Sequence, residues 1–346
     1  MPDGSAVHGD RLQRLARRAR DCGGDIGAAI DLAVCLGAEL PLPMSGGTTR
    51  LWESLATIAA VDLSTARVIE PHLDARAILS QAPATDLAGL DGNDAVDGSG
   101  SWGVFASEAK DVHVEARRSG GGWVLSGTKP WCSLAGKLSH AIVTARTESG
   151  RRAFAVGLRV PGVRASDGGW TARGLAAITS GSVSFAHVPA VPVGGTGWYF
   201  SRPGFAWGGA GVAAIWFGAA TAVARRVYAH CTERDPDQIA CLQLGLIDGW
   251  LGSARNALAL AAGQADEASP AVNPVLAAGR ARAAVVASAE AILSIAGHAM
   301  GPGPLAFEPD HAARTADLAL YLRQDHAERS TAALGQALLE GPVPPW

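Results

Sequence analysis

The sequence predicts an α+β protein: a helical N-terminal region, a small antiparallel β-sheet or barrel in the middle, and a C-terminal bundle of four long helices. Three observations carry this. Apolar residues recur at helical spacing up to about residue 95, the period shortens to two between about 101 and 193, and an alanine-rich helical pattern runs from Arg202 onward. The domains this implies are 1–97, 98–195 and 196–346.

Each element follows from its residues. Leu12, Leu15, Ala16 and Ala19 share a helical face, and five arginines from Arg11 to Arg20 fill the rest of the turn as a solvated basic face. Further helices are expected over 28–36, 51–60 and 65–80, with Asp62 and Ser64 as start signals for the last. The Asp- and Gly-rich stretch 86–101 reads as a loop. Next, Val112, Val114 and Ala116 alternate with His113, Glu115 and Arg117, and short runs at 123–125, 140–145, 154–158 and 182–185 are bounded by turn residues. Pro189 and Pro192 are expected to halt ladder pairing, because proline has no N–H to donate. The bundle helices are expected over 206–230, 237–265, 274–299 and 309–339, with Gly301-Pro302-Gly303-Pro304 as a turn.

Composition narrows the function. The 346 residues are 48% hydrophobic with a formal charge of −3, so no global field draws nucleic acid or an anionic membrane. Five scattered cysteines, none in a C-x-x-C pair, give neither a disulfide framework nor a zinc site, and a reducing cytoplasm is expected. No carboxylate and histidine cluster has metal-ligand spacing, and no G-x-S-x-G elbow or Walker loop occurs. Residues 205–224 carry no charge and are long enough for a membrane span. Four glycines lower their apolarity, so they read as a buried helix of a soluble core, apolar enough that a homo-oligomer, dimer or tetramer, is expected.

The segment Gly127-Thr128-Lys129-Pro130-Trp131-Cys132-Ser133 resembles the flavin-contacting segment of the acyl-CoA dehydrogenase family, usually Gly-x-Lys-x-Trp-(Ile/Cys)-(Ser/Thr). The order of elements resembles that family over essentially the whole chain, as do Arg173-Gly174-Leu175, Ser182 to Phe185 and Ala312 to Asp317. The resemblance implies FAD between the β domain and the bundle, with Trp131 near the flavin ring and the Ser133 hydroxyl at its reactive edge. Phe105, Ala106, Ser107 and Glu108 would form a loop against the flavin, although the family's following Gly-Ser-Asp is absent. Arg234 and Gln243, without the Phe-Gly between them, and the turn containing Gly301 stand where the family reaches a neighbouring subunit's cofactor.

The implied reaction is α,β-dehydrogenation of an acyl-CoA or acyl-carrier thioester, or of a related carbonyl compound. The family's Glu-Gly-Thr is missing. Eight residues on from Asp317 stands Asp325, the base this implies, with His326 beside it. His326 leaves open a flavin-dependent monooxygenase, and the lost segments leave open a non-catalytic subunit of a hetero-oligomer. Arg323, Asp325, Glu328 and Arg329 equally suit an exposed, charged helix face.

Overall fold

The computed structural model describes residues 4–83, 85–90, 98–233 and 235–340. Four helices come first: α1 (Gly4–Asp21), α2 (Ile26–Glu39), α3 (Thr48–Val61) and α4 (Leu63–Gln81). Asp62 caps α4 as its spacing suggests, its carboxylate accepting from the backbone N–H groups of Ser64 and Thr65. Pro71 lies inside α4, so the Arg67 carbonyl loses its usual N–H partner within the helix.

Seven strands follow: β1 (Trp102–Phe105), β2 (Val114–Ser119), β3 (Gly122–Ser133), β4 (His140–Thr147), β5 (Gly150–Gly157), β6 (Val163–Ser166) and β7 (Ser180–Val193). Pairings β4–β2–β3–β7–β5–β4 close a five-stranded ring, with β1 added on β4 and β6 on β7. Two expectations are corrected. The sheet is mixed, because β4 pairs in parallel with both β1 and β2. The prolines do not end it either, since Pro189 pairs with Val124 of β3 and Pro192 with Phe154 of β5. β7 changes partner between them, so each proline has one strand neighbour and its ring nitrogen can face the open side.

The C-terminal part comprises α5 (Trp198–Ser201), α6 (Pro203–Thr232), α7 (Gln238–Glu267), α8 (Pro274–Met300), α9 (Pro302–Phe307), α10 (Pro309–Tyr321) and α11 (Glu328–Leu339). The fourth long helix expected over 309–339 is therefore two helices. The chain leaves α10 through a tight turn at Leu322–Gln324 and resumes after Ala327, whose φ of 48° no regular helix accommodates. The Gly-Pro-Gly-Pro segment is a turn only at Gly301, beyond which Pro302 opens a short helix.

α6 runs through the middle of the core. By length and composition α6 and α8 could each cross a membrane, but α6 is mostly buried within this chain. Its glycines serve packing inside the chain rather than between subunits: a Cβ on Gly218 would come within 2.1 Å of the Ala56 carbonyl oxygen of α3. The apolar helix is thus already covered, and the reason it gave for expecting an oligomer falls away. One contiguous apolar cluster extends from Leu15 of α1 through Phe154 of β5 to Tyr321 of α10. His72, 1% exposed, ties α4 to the sheet by accepting from the Trp102 N–H at 3.3 Å.

Candidate active site

The site begins at a kink in β3. Its pairing with β7 slips between Lys129 and Cys132, and Trp131 takes a left-handed φ of 58°. A slip of this kind re-aims a side chain. Lys129 and Cys132 turn into the core, while the Trp131 indole is left 63% exposed, an unusual and strained disposition for a large aromatic residue. The Cys132 thiol is inert: burial pushes its pKa up to about 12. Beside Trp131, the Ser133 hydroxyl shares a 2.8 Å hydrogen bond with that of Ser180 on β7 and accepts from Arg67 Nη2 at 3.1 Å.

Arg67 connects this rim to a partly buried, charged cluster between α4, α6, α8 and the break after α10. Two of its three arginines have close carboxylate partners. Arg202 pairs with Asp74 at 3.3 Å and donates to Gln81 at 2.9 Å; Arg282 pairs with Asp325 at 3.0 Å and donates to the Gly209 carbonyl. Arg67 has only Glu70, with 4.0 Å between Nη1 and Oε2. Arg67 lies 5.5 Å over the Tyr321 ring, which meets Trp216 edge-on, and Arg282 lies 4.8 Å over Trp216.

Burial dominates the electrostatics. Burial, with a push from Asp74, outweighs the lowering pull of Arg67 and Arg282 and leaves the Glu70 pKa at about 7. Asp74 is likewise raised by burial, opposed by Arg202. Glu70 therefore exchanges its proton near neutral pH, the range that suits an acid–base group. Asp325 is differently placed: one carboxylate oxygen accepts from Arg282 and the other from the Ala327 N–H, so both are engaged. His326, next to it, is exposed.

The sequence-derived candidates separate into groups. Trp131 and Ser133 lie together, and Arg67 and Arg282 link them to Asp325. Phe105 ends β1 and is buried in the core, so it offers no surface to a ligand. Ser107 is exposed, and its neighbour Glu108 is held by Arg146 and Arg151 near the far end of β4. Ser133 precedes the turn into the start of that strand, about 20 Å away along it. Gln243 lines a cleft of about 180 Å³ with His230, Asp237 and His298, close to Gly301. That cleft is about 24 Å along α8 from Arg282, so Gln243 and Gly301 stand apart from the charged cluster. Arg234 lies outside the described residues. Sequence reasoning missed Arg67, Glu70, Trp216, Arg282 and Tyr321; the one local hint was Pro71 following a charged turn inside a helical pattern.

Two segments 142 residues apart also meet. The Leu175 N–H donates to Asp317 Oδ1 at 2.5 Å, and a Cβ on Gly174 would fall 2.1 Å from the Ala316 carbonyl oxygen. The barrel side of the site is thereby clamped to α10.

The sequence matches no family model and no curated protein. Solved structures do match over nearly its whole length. Glutaryl-CoA dehydrogenase from Mycobacterium smegmatis is 19% identical with a TM-score of 0.77, covering 95% of this chain and 94% of its own. The chain has the acyl-CoA dehydrogenase fold. The nitrososynthase from Micromonospora carbonacea var. africana shares that fold with it at 20% identity and a TM-score of 0.75, covering 96% and 95%. TdsC from Paenibacillus sp. A11-2, solved with FMN and indole, does so at 18% identity and 0.74, covering 98% of each. Members of this fold thus include a dehydrogenase and a nitrososynthase.

A flavin ring suits the Trp131 rim. A flat, exposed indole beside two hydroxyls and a guanidinium offers a stacking face and a row of hydrogen-bonding groups to a planar heteroaromatic. The open cleft of about 610 Å³ adjoining Ser180 is lined by Ala165 to Thr171 and Thr179, and its one charged residue is Asp167.

Proposed function

We propose that this chain is a flavin-dependent oxidoreductase, with FAD as the cofactor and a carbonyl compound, an acyl thioester or a relative, as the substrate. The observation that carries the reading is the strained, outward Trp131 beside the Ser133–Ser180 hydroxyl pair, linked through Arg67 to a buried acid–base carboxyl. When bound, the flavin supplies the hydride acceptor. Trp131 would cover its ring, and Ser133 and Ser180 would fix its heteroatom edge. Glu70 would take up or release the substrate proton. Asp325 would hold Arg282 in place, because both of its oxygens are engaged. This departs from α,β-dehydrogenation with Asp325 as base and leaves His326 outside the chemistry.

Self-association, in which Gln243 and the Gly301 turn of a second copy would reach the cofactor, is part of this reading. α7 offers a surface for it: Leu242, Leu246, Trp250 and Leu260 are exposed along one side of a helix whose opposite side packs on the core.

The test is the visible spectrum of the purified protein, with the released cofactor identified by chromatography. One flavin per chain is the expected result. A colourless protein that takes up neither FAD nor FMN on reconstitution would overturn the reading and leave a non-catalytic subunit in its place.

A further inference from the structure

The charged cluster is one partner short. Of its three arginines, Arg202 and Arg282 each have a carboxylate within hydrogen-bonding distance, and Arg67 does not. Arg67 Nη1 is buried and has no hydrogen-bond partner among the described residues. The same holds for the Tyr321 hydroxyl and the Trp216 indole N–H, on side chains 3% and 0% exposed. Arg67, Tyr321 and Trp216 are consecutive neighbours through their ring contacts. All three unmet groups can donate, as can Arg202 Nε in the same cluster, and buried donors are rarely left unmet in native proteins. What is missing is therefore an acceptor.

We propose that Arg67 receives the carboxylate of a small substrate, with the Tyr321 hydroxyl and the Trp216 N–H as the adjoining donors. The inference deepens the reading above, taking from it only where the substrate lies. A guanidinium offers parallel N–H groups that match a planar carboxylate. Ser133 holds Nη2 and so leaves Nη1 free to turn to the ligand. Size is limited by the same residues. α4 and α8 face the site with arginines and carboxyls instead of an apolar sleeve, so a long alkyl chain would have to desolvate charged groups.

The experiment is calorimetric titration of the full-length protein with sodium propionate at constant ionic strength, with sodium chloride as competitor. Saturable binding is expected, weakened at least about 30-fold by Arg67→Met and about 10-fold by Tyr321→Phe, as for hydrogen bonds to a charged group. Tyr321→Phe should leave the melting temperature of the ligand-free protein unchanged or higher, because it deletes a buried hydroxyl that has no partner. A structural role for that hydroxyl would give the opposite sign. The proposal is overturned if propionate does not bind saturably, if equimolar chloride displaces it, or if both variants bind it like the unaltered protein. Flavin content is read separately by absorbance. A flavin-bearing protein that ignores propionate sinks this proposal alone, and one that binds propionate but never flavin sinks the functional reading alone.

Discussion

Lys129 inside the barrel and Arg67 beneath its rim are both cations drawn out of water, and they are treated in opposite ways. Lys129 is fully buried, and its Nζ donates to the Thr144 carbonyl at 2.7 Å and to the Thr144 hydroxyl at 2.9 Å. Burial lowers its pKa to about 8 even so. Arg67 keeps one side in use and one side idle, next to a carboxyl that is half-protonated near neutrality. A buried charge whose donors are met belongs to the architecture. One whose donors are unmet, among other unmet donors, marks where something else binds.

The same substitution at both positions gives the largest contrast. Lys129→Met should cost about 4 kcal/mol, because it removes two hydrogen bonds from a charged donor at about 2 kcal/mol each. Arg67→Met should cost less than about 1 kcal/mol. Denaturant midpoints of the two variants decide it, and equal losses would erase the distinction.

Next comes Glu70. Its folded pKa of about 7 lies above the ordinary carboxyl value of 4.5, so between those values the folded chain holds more protons than the unfolded one. This contribution is fully present below about pH 4.5 and is lost as the pH rises through 7. Glu70→Gln, which does not titrate, should match the unaltered protein near pH 4.5 and exceed it by up to about 3 kcal/mol at pH 8. A difference that stays flat across unfolding curves at several pH values would show that Glu70 is not held in this way.

The smallest stability effect is expected at Trp131. Trp131→Ala removes an exposed ring and should change stability by no more than about 0.5 kcal/mol. It should weaken flavin binding about 10-fold, the worth of one aromatic contact. Fluorescence titration with FAD and a thermal melt on the same sample separate the two quantities. A large loss of stability would make Trp131 part of the frame.

What could be read from the chain was what neighbouring residues settle among themselves. Asp62 marks a helix start because a side-chain oxygen two or three residues before orphaned N–H groups can satisfy them. The alternation around Val114 marks a strand because every second side chain faces the core. Trp131 and Ser133 stood out because the short contiguous segment that holds them resembles the family's flavin-contacting segment. The rest of the cluster around Asp325 was out of reach because residues 67, 70, 216, 282 and 321 come from four different helices, and no spacing rule connects one helix with another. The break at Asp325 was missed for a related reason: the residues around it are compatible with a helix, and contact with Arg282 on another element accompanies its departure from one. The prolines of β7 misled because a rule about ladders presumes two neighbours, and these residues have one each.

The clamp between Leu175 and Asp317 has a mechanical consequence. Asp317 stands one helical turn before Tyr321, on the same side of α10. The carboxylate that anchors the loop before β7 and the phenol whose ring lies under Arg67 are therefore carried by a single turn of one helix.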